Sequence, residues 1–128
     1  MMLYVSLFIA GGIGVLARFV SVKSLNSLFG TAFPFGTLFV NVVGSLLFGF
    51  LSWYIVHRWS GAVNIEAVKT AVLTGLLGGF TTFSAFSMEM LQMLQAGQTL
   101  KALLYACLSV IVCVIACFAG LALAKQFV

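Results

Sequence analysis

Four membrane-spanning α-helices joined by short turns are the fold this sequence predicts. Only 6% of its 128 residues are charged and 63% are hydrophobic. Soluble domains carry about 25% charge, so this chain has too little polar surface to cover a water-soluble core. Its hydrophobicity equally excludes a disordered chain. The few charges punctuate long apolar runs: residues 1–17, 24–57, 70–88 and 102–124 carry no side-chain charge. A membrane helix needs roughly 20 apolar residues, so four spans take up about 80–100 and leave no room for a soluble domain. The runs lack the apolar/polar alternation of barrel strands.

The first helix is placed over 2–22. It has no basic residue ahead of its apolar stretch, unlike a cleaved signal peptide. Gly11, Gly12 and Gly14 suit close packing, so it reads as a permanent helix. Pro34, the single proline, lies with Gly30 and Gly36 in the first connection, where a breaker belongs. The second helix covers 36–58. Gly61 and Asn64 mark the next turn, the third helix covers 66–93, and Gly97 precedes a fourth over 99–125. Cys107, Cys113 and Cys117 all fall in the fourth. With no CxxC pair and a single histidine, His57, a metal cluster is not expected. His57, beside Arg58 and Trp59, reads as an interfacial anchor. Ala116, Gly120 and Ala124 form a small-residue packing stripe.

Lys and Arg near span ends set orientation in a membrane. With four spans, Arg58, Lys69 and Lys125 fall on one side and Arg18, Lys23 and Lys101 on the other. The tally is balanced. Either orientation is fixed but weakly encoded, or the chain inserts both ways. Two oppositely inserted copies would pair about a twofold axis in the membrane plane. Such a dimer reproduces the inverted repeat found within many single transport chains.

Polar groups inside a span invite a functional reading, because they are costly in hydrocarbon unless paired. Thr37, Asn41 and Ser45 form one stripe on the second helix. Asn41 either bonds across to a neighbouring helix or offers its amide to an anion. In the third helix, residues 75–86 read GLLGGFTTFSAF. Glu66 to Glu89 spans about 34 Å, so this segment contains the bilayer centre. Paired glycines followed by β-branched threonines form helix poorly, and a break is expected near 78–81. Glycine packing without a break is the alternative; the Gly-Gly-x-Thr-Thr run favours the break. Freed carbonyls there attract cations and freed N–H groups attract anions. Phe83, Phe86 and Ser87 share a face. Aromatic rings at that spacing serve as core or lipid contacts, yet their positive edges also suit a small dehydrated anion. Tyr105, Ser109, Cys113 and Cys117 line up on the fourth helix. Ser109 either lines a path with Asn41 or bonds its own i−4 carbonyl. Arg18 and Glu89 lie near span ends, where snorkelling to water is the default; Arg18 could alternatively draw anions into a vestibule.

GGxGxxxR (Gly11 to Arg18), GTLxVN (Gly36 to Asn41) and GxxGGxTTFSxF (Gly75 to Phe86) resemble the Fluc/CrcB fluoride-channel family across all four spans. The resemblance implies a passive fluoride channel in the cell (inner) membrane, built as a dual-topology antiparallel homodimer with two pores. It implies pore roles for Asn41, Thr37, Phe83, Phe86, Tyr105 and Ser109, and a vestibule role for Arg18. It assigns the Gly78 and Thr81 backbone carbonyls to a central structural sodium ion. Ala85 stands where the family usually has Thr, so Ser84 or Ser87 takes more of the donor role. No nucleophile, base pair or cofactor motif points to an enzyme, and nothing points to nucleic acid. The runner-up is a small dual-topology exporter of cationic drugs. It would want a mid-span carboxylate, whereas Glu66 and Glu89 are expected at helix ends.

Overall fold

The computed structural model describes residues 1–59, 61 and 64–127. Every regular element among them is helical: α1 (Met2–Phe29), α2 (Phe35–Arg58), α3 (Ile65–Lys69), a π-helical stretch (Thr70–Leu77), α4 (Gly78–Phe80), α5 (Phe83–Gln95) and α6 (Thr99–Phe127). Four crossings, Met2–Phe29, Phe35–Arg58, Ile65–Gln95 and Thr99–Phe127, are long and apolar enough to span a bilayer. The chain is a multi-pass membrane protein.

α1 runs beyond the expected residue 22. Lys23 and Ser24 are polar but do not break a helix, and no Gly or Pro intervenes before Gly30. There the backbone turns to φ +75°, which favours glycine, and the Gly30 N–H caps the Asn26 carbonyl at 2.9 Å. Pro34 immediately precedes α2, its fixed φ suiting a helix start.

Glycines set how closely the helices pack. A Cβ at Gly14 would lie 2.1 Å from the Leu76 carbonyl oxygen, and one at Gly79 would lie 2.6 Å from that of Gly11. α1 therefore lies directly against the π stretch and α4. On the other side, a Cβ at Gly49 or Gly120 would lie 2.0 Å from the carbonyl oxygens of Cys117 and Leu46 respectively. Backbone-to-backbone contact of this kind replaces the hydrophobic drive that lipid does not supply. α2 and α6 run parallel. Thr37 and Tyr105 meet at one end, and at the other the Lys125 ammonium sits 4.8 Å from the Trp53 ring. His57 stacks on the same ring at 3.7 Å, giving this end its aromatic and basic belt. The outward faces are apolar: Phe8, Leu16 and Phe19 on α1 and Val114, Ile115 and Phe118 on α6 are all more than 60% exposed, a surface that suits acyl chains.

Candidate functional site: the polar junction at the third crossing

Two threonines stand between the last two helical segments of the third crossing. Thr81 (φ −84°, ψ 160°) and Thr82 (φ −153°, ψ 116°) are extended between α4 and α5. Extended residues between helices leave main-chain groups without helical partners, and in a membrane each must be satisfied from within the protein. Neighbouring helices do so here. Thr81 still donates its N–H to the Leu77 carbonyl at 2.9 Å, and its hydroxyl reaches the same oxygen at 3.0 Å. The Thr81 carbonyl accepts from the Arg18 guanidinium of α1 at 3.1 Å. Asn41 of α2 takes both main-chain groups of Thr82. Its Oδ1 accepts from the Thr82 N–H at 2.7 Å and its Nδ2 donates to the Thr82 carbonyl at 3.0 Å. The Thr82 hydroxyl then caps α5 by accepting from the Ala85 N–H at 3.3 Å. One amide proton of Asn41 remains outside these bonds.

Beside this junction runs an open groove of about 440 Å³ lined by Asn41, Ser45, Thr82, Phe83, Phe86, Ser109 and Cys113, among others. Ser109 is 7% exposed. Its hydroxyl sits near that of Tyr105 but meets hydrogen-bond geometry with no described residue. The Phe83 and Phe86 rings are 5.4 Å apart and tilted by 44°; Phe83 is 77% exposed. The series continues to Tyr105, whose ring lies 5.1 Å from Phe86. A second open space of about 520 Å³ is lined by Arg18, Thr37, Thr82, Ser84, Ala85 and Glu89, among others. Ser84 Oγ stands 3.3 Å from Thr82 Oγ1. Ser87 lines neither space; its hydroxyl donates back to the Phe83 carbonyl at 2.9 Å.

Sequence reasoning passed over Glu89 as a span-end residue. It is half-buried, accepting from Thr37 Oγ1 at 2.6 Å on one oxygen and from the Tyr105 hydroxyl at 2.7 Å on the other. These bonds tie α2, α5 and α6 together. Two in-span hydroxyls on neighbouring helices, each wanting an acceptor, were the available signal. Arg18 also turns inward rather than to a water-facing end. Among the described residues the one ion pair is Lys69–Glu66 at 3.9 Å, so Arg18 and Glu89 share a space without pairing.

The resemblance assigns two carbonyls beside this junction, those of Gly78 and Thr81, to sodium. The N–H four residues after Gly78 belongs to Thr82 and is turned to Asn41, which leaves the Gly78 carbonyl without its ordinary helical donor. The Thr81 carbonyl already faces a cationic group. Both are hard oxygen ligands of the kind that hard cations take, so the residues fit.

A family model described as "CrcB-like protein, Camphor Resistance (CrcB)" matches residues 5–121. "Fluoride-specific ion channel FluC 2" of Nitrobacter hamburgensis is 41% identical over 96% of this chain and 97% of its own length. The "Fluoride-specific ion channel FluC" of Rhizobium meliloti is 42% identical over 92% of both chains. That of Coxiella burnetii is 40% identical over 94% of this chain and 95% of its own. Matched from the first crossing into the last by the family model, and along nearly their whole length by these relatives, the chain belongs to the CrcB-like family.

Proposed function

We propose that this protein is a fluoride-selective channel that passively exports fluoride and so relieves its toxicity. One observation carries the reading beyond the names of the relatives. A buried hydroxyl with no hydrogen-bond partner among the described residues, Ser109, lines the same groove as the Phe83 and Phe86 rings and the remaining amide proton of Asn41. Fluoride is small and strongly hydrated. It enters oil only where fixed donors replace its water, and hydroxyls, an amide and ring edges supply such donors in a groove whose lining holds no carboxylate to repel an anion. The same ring edges repel a cation, which prefers the ring face. No bond is made or broken, so the protein is not an enzyme. The cationic-drug exporter is not favoured, since the relatives are named for fluoride.

In this reading the interruption at Thr81–Thr82 lies near the bilayer centre, as its place in the 31-residue crossing Ile65–Gln95 suggests. Two copies inserted oppositely form the working homodimer in the cell inner membrane, as the balanced basic residues favour. One chain offers two carbonyls, Gly78 and Thr81; a twofold axis beside them doubles the set to four. A sodium ion held there would supply fixed positive charge to the junction. Arg18 and Asn41 hold the main chain in place, and Thr37, Tyr105 and Glu89 brace the helices on either side.

Efflux from liposomes loaded with fluoride and chloride tests the proposal. Rapid fluoride release with chloride retained is expected. Release of both ions, or of neither, refutes it, and drug-driven proton movement would reinstate the exporter. Tags on the C-terminus should appear on both membrane faces; confinement to one face refutes dual insertion.

A further inference from the structure

Arg18 has an unusual partner for a charged residue in a membrane span. Among the described residues its guanidinium meets no carboxylate within ion-pair distance. It donates a hydrogen bond to the main-chain carbonyl of Thr81, at 3.1 Å and partly buried. The approach of α1 makes this reach possible. Gly14, one turn before Arg18, lies against the Leu76 carbonyl and the Phe80 N–H, so the helix carrying Arg18 rests on the segment whose end it caps. Cationic side chains near a helix C-terminus answer its free carbonyls in this way.

The carbonyl so occupied is one of the two given to sodium in the reading above, on which this inference rests. A carbonyl has two lone pairs and can accept from both, but the two cations then stand a few ångströms apart in a partly desolvated setting. We propose that Arg18 is a second cation on the Thr81 carbonyl and that its charge lowers the affinity of the junction for sodium. With an effective dielectric of about 20, repulsion at that range weakens binding by on the order of a hundredfold to a thousandfold. Arg18 is thus a positioning residue whose charge also keeps sodium exchangeable.

Sodium affinity is read from the unfolding midpoint of the detergent-purified dimer. Sodium is titrated at constant ionic strength against N-methylglucamine, since a ligand that binds only the folded state raises the midpoint. Arg18→Gln keeps an N–H donor for the carbonyl and removes the charge. Its apparent sodium dissociation constant should fall about a hundredfold or more. Arg18→Lys keeps the charge and should stay within about threefold of the parent. Equal or weaker sodium binding in Arg18→Gln overturns the proposal while leaving the sodium site intact, and so does equal tightening in both variants. Sodium stabilisation in Arg18→Gln but not in the parent supports it. No sodium dependence in any of the three removes the sodium site and this inference with it, while the fluoride reading still rests on its own efflux test.

Discussion

Asn41→Ala removes one side chain and undoes two bonds to the extended residue between α4 and α5. The Thr82 N–H and carbonyl lose partners at 2.7 and 3.0 Å, and no helical partner stands ready, because Thr82 is extended. Leaving a buried polar group unsatisfied costs about 1–3 kcal/mol, which sets a ceiling of about 6 kcal/mol for the pair. Hydrogen bonds inside a membrane protein average about 0.6 kcal/mol each, which sets a floor of about 1 kcal/mol. Asn41 borders an open groove and is only partly buried, so water can recover some of the loss; about 1.5–4 kcal/mol is expected between those bounds. Asn41→Asp separates the two bonds: a carboxylate still accepts from the Thr82 N–H but has no proton for the Thr82 carbonyl. Denaturant unfolding of the purified protein should therefore place both variants below the parent, since the carboxylate of Asn41→Asp would face the Thr82 carbonyl acceptor to acceptor. Fluoride efflux should fall in Asn41→Ala as well, since Thr82 caps the helix that carries both phenylalanines. An alanine variant within about 0.5 kcal/mol of the parent, a difference usual for surface changes, would show that Asn41 does not hold the junction.

Phe83→Ile should suppress fluoride efflux with little loss of stability, because the ring is 77% exposed; unchanged flux removes the rings from the mechanism. Gly120→Ala places a Cβ 2.0 Å from the Leu46 carbonyl oxygen and should destabilise by about 1–3 kcal/mol in the same unfolding assay. Gly12→Ala meets nothing within 4 Å and should be neutral or stabilising by up to about 1 kcal/mol. Tyr105→Phe and Thr37→Val each take one donor from Glu89 and should cost about 1.5–3 kcal/mol in unfolding free energy, the range for hydrogen bonds to a charged group. The double variant should depart from additivity, since both bonds end on one carboxylate. Ala85→Thr adds a hydroxyl to the space shared by Arg18, Thr82 and Ser84 and should raise fluoride efflux; unchanged flux would show that the present hydroxyls suffice.

The four crossings were legible because hydropathy reports burial in lipid directly, and charges, Pro34 and Gly97 mark where lipid ends. The far end of α1 was not, since Lys23 and Ser24 signal polarity and helices tolerate polarity; the stop came from backbone conformation at Gly30. The π turns over Thr70–Leu77 were hidden for a related reason: a small change in helical winding leaves the apolar composition of a short stretch untouched. At the site, residue types were readable but their obligations were not. Asn41 was open between inter-helix glue and anion donor; the geometry gives its oxygen and one proton to Thr82. For Glu89 and Arg18 snorkelling was the default expectation, as the cheaper course for a lone charge near a span end. It ceases to be so once Thr37, Tyr105 or an unsatisfied carbonyl is waiting across a helix contact that sequence alone does not place.

Most polar protons around the groove already have partners within the protein. The Thr37 and Tyr105 protons are held by Glu89, the Ser87 proton by Phe83, the Thr81 hydroxyl by Leu77, and Arg18 donates to the Thr81 carbonyl. In the groove there remain one amide proton of Asn41, the hydroxyls of Ser45 and Ser109 and the edges of Phe83 and Phe86. Under the channel reading this is a modest set, with no full positive charge among its members. Modest is what conduction needs: a site must compensate a lost hydration shell well enough to admit the ion and poorly enough to release it. A guanidinium facing the groove would bind fluoride more strongly and pass it less readily, which is a physical reason for Arg18 to be turned onto a carbonyl and for weak aromatic edges to stand on the path.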